Sequence, residues 1–151
     1  MPLFLIPLVA ILMFFRLMVS VDTVDDGTIA AAQVDVNVIG QSMLALHTYA
    51  ASFAHNNPGY SGTASAATLG APAWYVQPSY VSVYVSGGKS YVYYTGSVQG
   101  LPGYLISVTQ DPYGSGTDLA GVLASPGASA AATAGLAIPG QVPNGSVVVM
   151  P

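Results

Sequence analysis

The chain has 151 residues, two basic side chains against six carboxylates, all of them aspartate, and a formal net charge of −4. A phosphate backbone is bound by clustered Lys and Arg, so this balance excludes nucleic acid as a partner and disfavours anionic lipid headgroups. The absence of cysteine removes disulfides and thiol chemistry, and a surface this poor in charge suits a protein covered by its neighbours.

Residues 1–19 are apolar except for Arg16. A helix of about 20 apolar residues spans a bilayer. The run has no basic stretch before it and no small-x-small cleavage site after it, so it reads as an uncleaved transmembrane anchor over 1–21. Asp22, Asp25 and Asp26 follow directly. That asymmetry predicts a cytoplasmic N-terminus and a periplasmic remainder, hence a bacterial inner-membrane protein. Arg16 either snorkels to the headgroups or pairs with a partner's carboxylate inside the membrane. The roughly 130 residues beyond the anchor fit one domain rather than two.

An amphipathic helix is predicted over 22–56, capped by Asp25 or Asp26, with Gly27 as a hinge. Ile29, Ala32, Val36, Ile39, Met43, Leu46, Ala50 and Phe53 alternate at spacings of three and four, the stripe of a heptad repeat. Asn56-Asn57-Pro58-Gly59 stops it. The stripe packs on the protein's own sheet or forms a homo-oligomeric seam over 29–53; the charge pairs that usually flank such a seam are missing.

Residues 57–123 read as an antiparallel sheet domain. Ala73-Trp74-Tyr75-Val76 is a predicted strand stopped by Pro78. Tyr80–Val85 and Tyr91–Thr95 alternate around Gly87-Gly88, the signature of a tight hairpin, with Val81, Val83 and Val85 on one face and Tyr80 and Tyr84 on the other. Tyr104–Thr109 is a further predicted strand, Asp111–Asp118 a Gly-rich loop, and Leu119–Leu123 a helix or a strand. Residues 124–151 form an Ala/Ser/Gly-rich tail, weakly ordering by composition, in which Val147-Val148-Val149 supplies an edge strand. The predicted fold class is α+β: a long N-terminal helix, the anchor continuing into the amphipathic helix, followed by a small antiparallel β-sheet, pilin-like in plan.

Chemistry is sparse in this pattern. His47 and His55 lie about 80° apart around a helix, and no glutamate exists to complete a metal site. No serine sits in a G-x-S-x-G elbow. The Asp111–Asp118 loop lacks the alternating oxygen ligands of a calcium loop, and Gly87-Gly88-Lys89-Ser90 lacks the leading glycine of a phosphate loop. No catalytic residue, metal or cofactor is expected. Aromatic residues are the remaining signal. They stabilise sheets through cross-strand pairs, and they also anchor protein interfaces. Tyr93 and Tyr94 are consecutive and point to opposite faces, so one of them is expected to meet a partner or solvent. The candidate contact residues are Arg16, Trp74, Tyr80, Tyr84, Tyr91, Tyr93 and Tyr94.

An apolar helix running into an amphipathic helix and a small sheet resembles the type IV pilin plan, without a basic leader ending in glycine and without the glutamate five residues into a mature pilin helix. A narrower resemblance lies in Tyr49-Ala50-Ala51-Ser52-Phe53-Ala54-His55-Asn56-Asn57-Pro58-Gly59-Tyr60-Ser61-Gly62-Thr63 and in Leu69-Gly70-Ala71-Pro72-Ala73-Trp74-Tyr75. These stretches are similar to the PilM family of conjugative type IVB (thin) pilus systems, which is unrelated to the actin-like protein of the same name. The resemblance implies a non-enzymatic, membrane-anchored structural component of the inner-membrane pilus assembly apparatus, with other pilus-assembly proteins or pilin as partners. It carries over no catalytic residue. A minor-pilin-like filament subunit and a membrane adaptor of a phage or secretion system are the alternatives.

Overall fold

The computed structural model of the protein describes residues 33, 35–133 and 136–151. The chain divides into two compact units, Met1–Asp35 and Val36–Pro151, and the fold that follows is that of the second. Helix α1 is helical over 35–56. The apolar stripe sets its buried face: Met43, Leu46 and Ala50 are fully enclosed, Val36 is buried, and Ile39 and Phe53 are partly covered in the same cluster. Asn57 ends the helix. Both its backbone N–H and its side-chain amide donate to the Phe53 carbonyl, at 2.9 Å each, and Pro58 prevents continuation.

Strand β1 (Ser61–Thr63) opens the sheet, and β2 (Val81–Ser86) and β3 (Lys89–Tyr94) form the predicted hairpin. Its turn residues Gly87 and Gly88 have φ of 59° and 75°, the left-handed pair that a two-residue hairpin matching strand twist requires. The register pairs Val83 with Val92 and Tyr84 with Tyr91. Helix α2 (Leu101–Thr109), β4 (Ser115–Leu119), β5 (Val122–Ala124), the short α3 (Ala130–Thr133) and β6 (Val147–Val149) follow. All pairings are antiparallel, in the order β1-β2-β3-β6-β4-β5.

Both faces of this sheet are covered. On one, Val81, Val83, Val85, Val92, Val147 and Val149 meet α1 and the Leu101 and Leu105 side of α2. Gly40 is where the two helices close up, since a Cβ there would run into the Tyr104 ring. On the other face, Tyr84, Tyr91, Tyr93 and Val148 pack under Leu123, Ile138, Val142 and Met150. Burial of each large apolar side chain stabilises the fold by about 1.5–3 kcal/mol.

Several expectations are corrected here. Among the described residues no helix is long and apolar enough to cross a membrane. The observed architecture is a six-stranded antiparallel sheet with helices rather than a transmembrane helix followed by a small sheet, and the placement in the inner membrane with a periplasmic domain, which rested on that helix, falls with it. The segment 1–21, Arg16 included, lies outside the described residues. From Val36 to Phe53 the heptad stripe is enclosed by the protein's own core, so this part of it is not free to form a seam with a second copy.

Residues 104–109 are helical, not extended. Tyr104, Ile106 and Val108 alternate like a strand, but Pro102 sits in the first turn, where its missing N–H costs nothing, and Leu101 and Leu105 form the buried i, i+4 pair. Val108 is left exposed. Residues 73–76 are turn and loop. Strand β6 is central between β3 and β4 rather than at an edge, as an unbroken apolar run covered on both faces requires. The tail is structured around it: the Leu123 and Ile138 N–H groups bond to Leu136 and Gly121 carbonyls at 3.2 and 2.8 Å.

Candidate functional site

Segment 72–80 is the second half of the connection from β1 to β2 and carries two prolines, Pro72 and Pro78, which cannot donate to a strand ladder. It is fixed instead by side chains. The Tyr75 hydroxyl donates to the Ser42 carbonyl of α1 at 3.0 Å and contacts the Ser42 hydroxyl at 2.8 Å. The Gln77 carboxamide does the work of a missing strand. Its Oε1 accepts from the Ala66 N–H at 3.1 Å and its Nε2 donates to the Val81 carbonyl at 2.7 Å. Backbone turns close both ends, Tyr75 N–H to Pro72 carbonyl at 2.9 Å and Val81 N–H to Pro78 carbonyl at 3.0 Å.

With residues 75 and 77 turned inward, residues 74 and 76 point out. Trp74 is 78% exposed, Val76 83% and Tyr80 62%. The Tyr80 ring stands edge-on to Tyr94, centroids 6.3 Å apart and planes at 80°, an arrangement favoured between aromatic rings. The result is a set of exposed apolar side chains on a loop held to the fold by hydrogen bonds. Such ordering removes part of the entropy cost of binding, and large exposed aromatics are the residues that anchor protein interfaces.

The other candidate contact residues lie elsewhere. Tyr84, Tyr91, Tyr93 and Tyr94 are buried in the sheet, between 6 and 8% exposed. Tyr93 and Tyr94 do point to opposite faces, but both faces are covered, so neither is free for a partner. Burial and the neighbouring Tyr84 hold the Tyr91 hydroxyl above the ordinary tyrosine range. The structure therefore leaves Trp74 and Tyr80 exposed on one segment and the hairpin tyrosines in the core. Val76 was missed in the sequence, as were the tethers Tyr75 and Gln77. The two bracketing prolines were the available signal.

His55 is exposed at the end of α1, while His47 is partly buried, with burial lowering its pKa. Among the described residues no group of three or more His, Asp, Glu or Cys side chains is placed to hold a metal ion.

A crystal structure of a PilM protein from Escherichia coli B7A matches 79% of this chain and 93% of its own, with a TM-score of 0.58 at 17% identity, a likeness of fold. A second, of a PilM protein from Pseudomonas aeruginosa 2192, matches 77% and 94% at 27% identity with a TM-score of 0.48. No curated protein sequence matches the chain. The family model described as PilM matches residues 10–150, nearly the whole sequence, and the chain is therefore a pilus-related member of the PilM family.

Proposed function

We propose that this protein is a non-enzymatic docking component of the type IVB pilus assembly apparatus, binding another protein of that apparatus through Trp74, Val76 and Tyr80. The observation that carries this reading is the alternation in the 72–80 loop: Tyr75 and Gln77 are tied to the body of the fold while Trp74 and Val76 are held out to solvent. A segment ordered by hydrogen bonds yet presenting its largest apolar side chains to water gains by covering them, and interface energy concentrates in a few such anchors. Membership of the PilM family supplies the pilus setting.

The test replaces the native copy with the full-length Trp74→Ala/Val76→Ser/Tyr80→Ala variant and counts assembled pili. Loss of three anchors is expected to reduce pilus number by about tenfold or more, with protein level unchanged and the thermal midpoint lowered only by the lost Tyr80–Tyr94 ring contact. Wild-type piliation by this variant would refute the docking role.

A further inference from the structure

Asn144-Gly145 is the one Asn-Gly step in the sequence, and both residues are exposed. An asparagine followed by glycine is chemically labile, because without a Cβ the glycine nitrogen closes easily on the side-chain amide. In this fold the two reacting groups are held by the tip of the β4–β5 hairpin. That tip is Ala120-Gly121, between the paired Leu119 and Val122, with φ of 56° and 82°. The Asn144 Oδ1 accepts from the Ala120 N–H at 2.9 Å, and the Gly145 N–H donates to the Asp118 carbonyl at 2.9 Å. Asp118 adds two bonds: its N–H donates to the Ser146 carbonyl and its Oδ1 accepts from the Gly121 N–H, both at 2.8 Å. Val147 then opens β6, the strand between β3 and β4.

We infer that Asn144 is a site of spontaneous deamidation that the folded chain keeps closed and that opening of the β4–β5 tip releases. The reaction needs the Gly145 nitrogen to give up its proton and attack the Asn144 Cγ. An N–Cγ bond forms, the Cγ–Nδ2 bond breaks, and ammonia leaves with that proton. Water then opens the resulting succinimide at either carbonyl, giving aspartate or isoaspartate. While the tip is closed, the proton is bonded to Asp118 and the amide oxygen to Ala120, so ring closure must first release both. Local opening of a hairpin tip is the step that does so. The two products differ in consequence. Aspartate keeps an oxygen for the Ala120 N–H but sets a second carboxylate on the tip that already carries Asp118. Isoaspartate lengthens the backbone by one methylene, between the bond to Ala120 and the bonds that Gly145 and Ser146 make to Asp118. A chain that has opened and reacted no longer enters β6 in the same register.

The experiment incubates the full-length protein in mildly alkaline buffer, folded and in guanidinium chloride, and follows aspartate and isoaspartate at position 144 by peptide mass spectrometry. Conversion in denaturant is expected, slowed by about tenfold or more in the folded chain. Gly121→Ala puts a Cβ at a left-handed φ and loosens the tip. It should speed conversion in the folded state by about fivefold to tenfold, at a temperature where circular dichroism shows the variant folded. Hydrogen exchange at the Gly145 amide of the wild type reads the same closure without a variant, and slow exchange is expected. Equal conversion with and without denaturant, or free exchange at Gly145, would overturn the closed site. No conversion in denaturant would overturn the reactive pair, and a folded Gly121→Ala protein reacting at the wild-type rate would overturn control by the tip.

Discussion

Two neighbouring segments of this protein are rich in aromatic residues and meet opposite fates. In the β2–β3 hairpin, Tyr84, Tyr91, Tyr93 and Tyr94 are enclosed, three beneath the C-terminal segment and one toward the helices. In the 72–80 loop, Trp74 and Tyr80 stand in solvent while Tyr75 is turned back onto α1. The residue types are alike, so aromatic content cannot decide which segment docks. What decides it is what lies over each one. A sheet with both faces covered leaves its aromatics no outlet, and a proline-bracketed loop cannot join the ladder that would have buried its own.

The largest effect that could break this contrast is expected at Tyr93. Tyr93→Ala opens a cavity beneath Ile138 and Val142 and should cost about 3–5 kcal/mol in denaturant unfolding; a change below about 0.5 kcal/mol would place Tyr93 at the surface after all. Next comes Gln77→Ala. It strips partners from the Ala66 N–H and the Val81 carbonyl and should cost about 1–3 kcal/mol, with faster hydrogen exchange at Ala66. Tyr75→Phe removes only the hydroxyl that holds the loop to Ser42. A loss of about 1 kcal/mol is expected, together with weaker docking, although no contacting side chain has changed. Trp74→Ala should lie within about 0.5 kcal/mol of wild type in stability while still impairing pilus assembly. A large stability loss there would make the tryptophan a core residue and erase the distinction.

Acid sharpens the same contrast through α1, which carries the loop's anchor point. His47 has a lowered pKa in the folded protein because burial disfavours its charged form. The unfolded chain therefore binds more protons below the ordinary histidine value of about 6.5. Stability should fall as the pH drops from about 7 through that value toward the folded-state pKa, and His47→Gln should flatten this limb of the profile in thermal melts.

What could be read in advance was local. Gly87-Gly88 between alternating runs defined the hairpin, and the three-four stripe with Asn57-Pro58 defined the described part of α1 and its end. What escaped depends on pairing across long separations. Nothing near Val147-Val148-Val149 says that it will sit between β3 and β4, and Tyr104, Ile106 and Val108 mimic a strand until Leu101 and Leu105 are seen to share one buried side. The hairpin tyrosines were misplaced for the same reason. Their cover comes from Leu123, Ile138, Val142 and Met150, dispersed in a tail whose composition is dominated by Ala, Ser and Gly. The loop was not legible: 73–76 reads as a strand and Tyr80 as part of the hairpin, because the tethers to Ser42 and Ala66 join segments remote in sequence.

The most direct test of the account places a photoreactive amino acid at Trp74 and, in parallel, at the exposed hairpin residue Lys89, each in the full-length protein within piliating cells. Crosslinks to a pilus-assembly protein from position 74, absent from position 89, are the predicted result. Crosslinks to that protein from position 89 with none from position 74 would move the docking surface to the hairpin and contradict it.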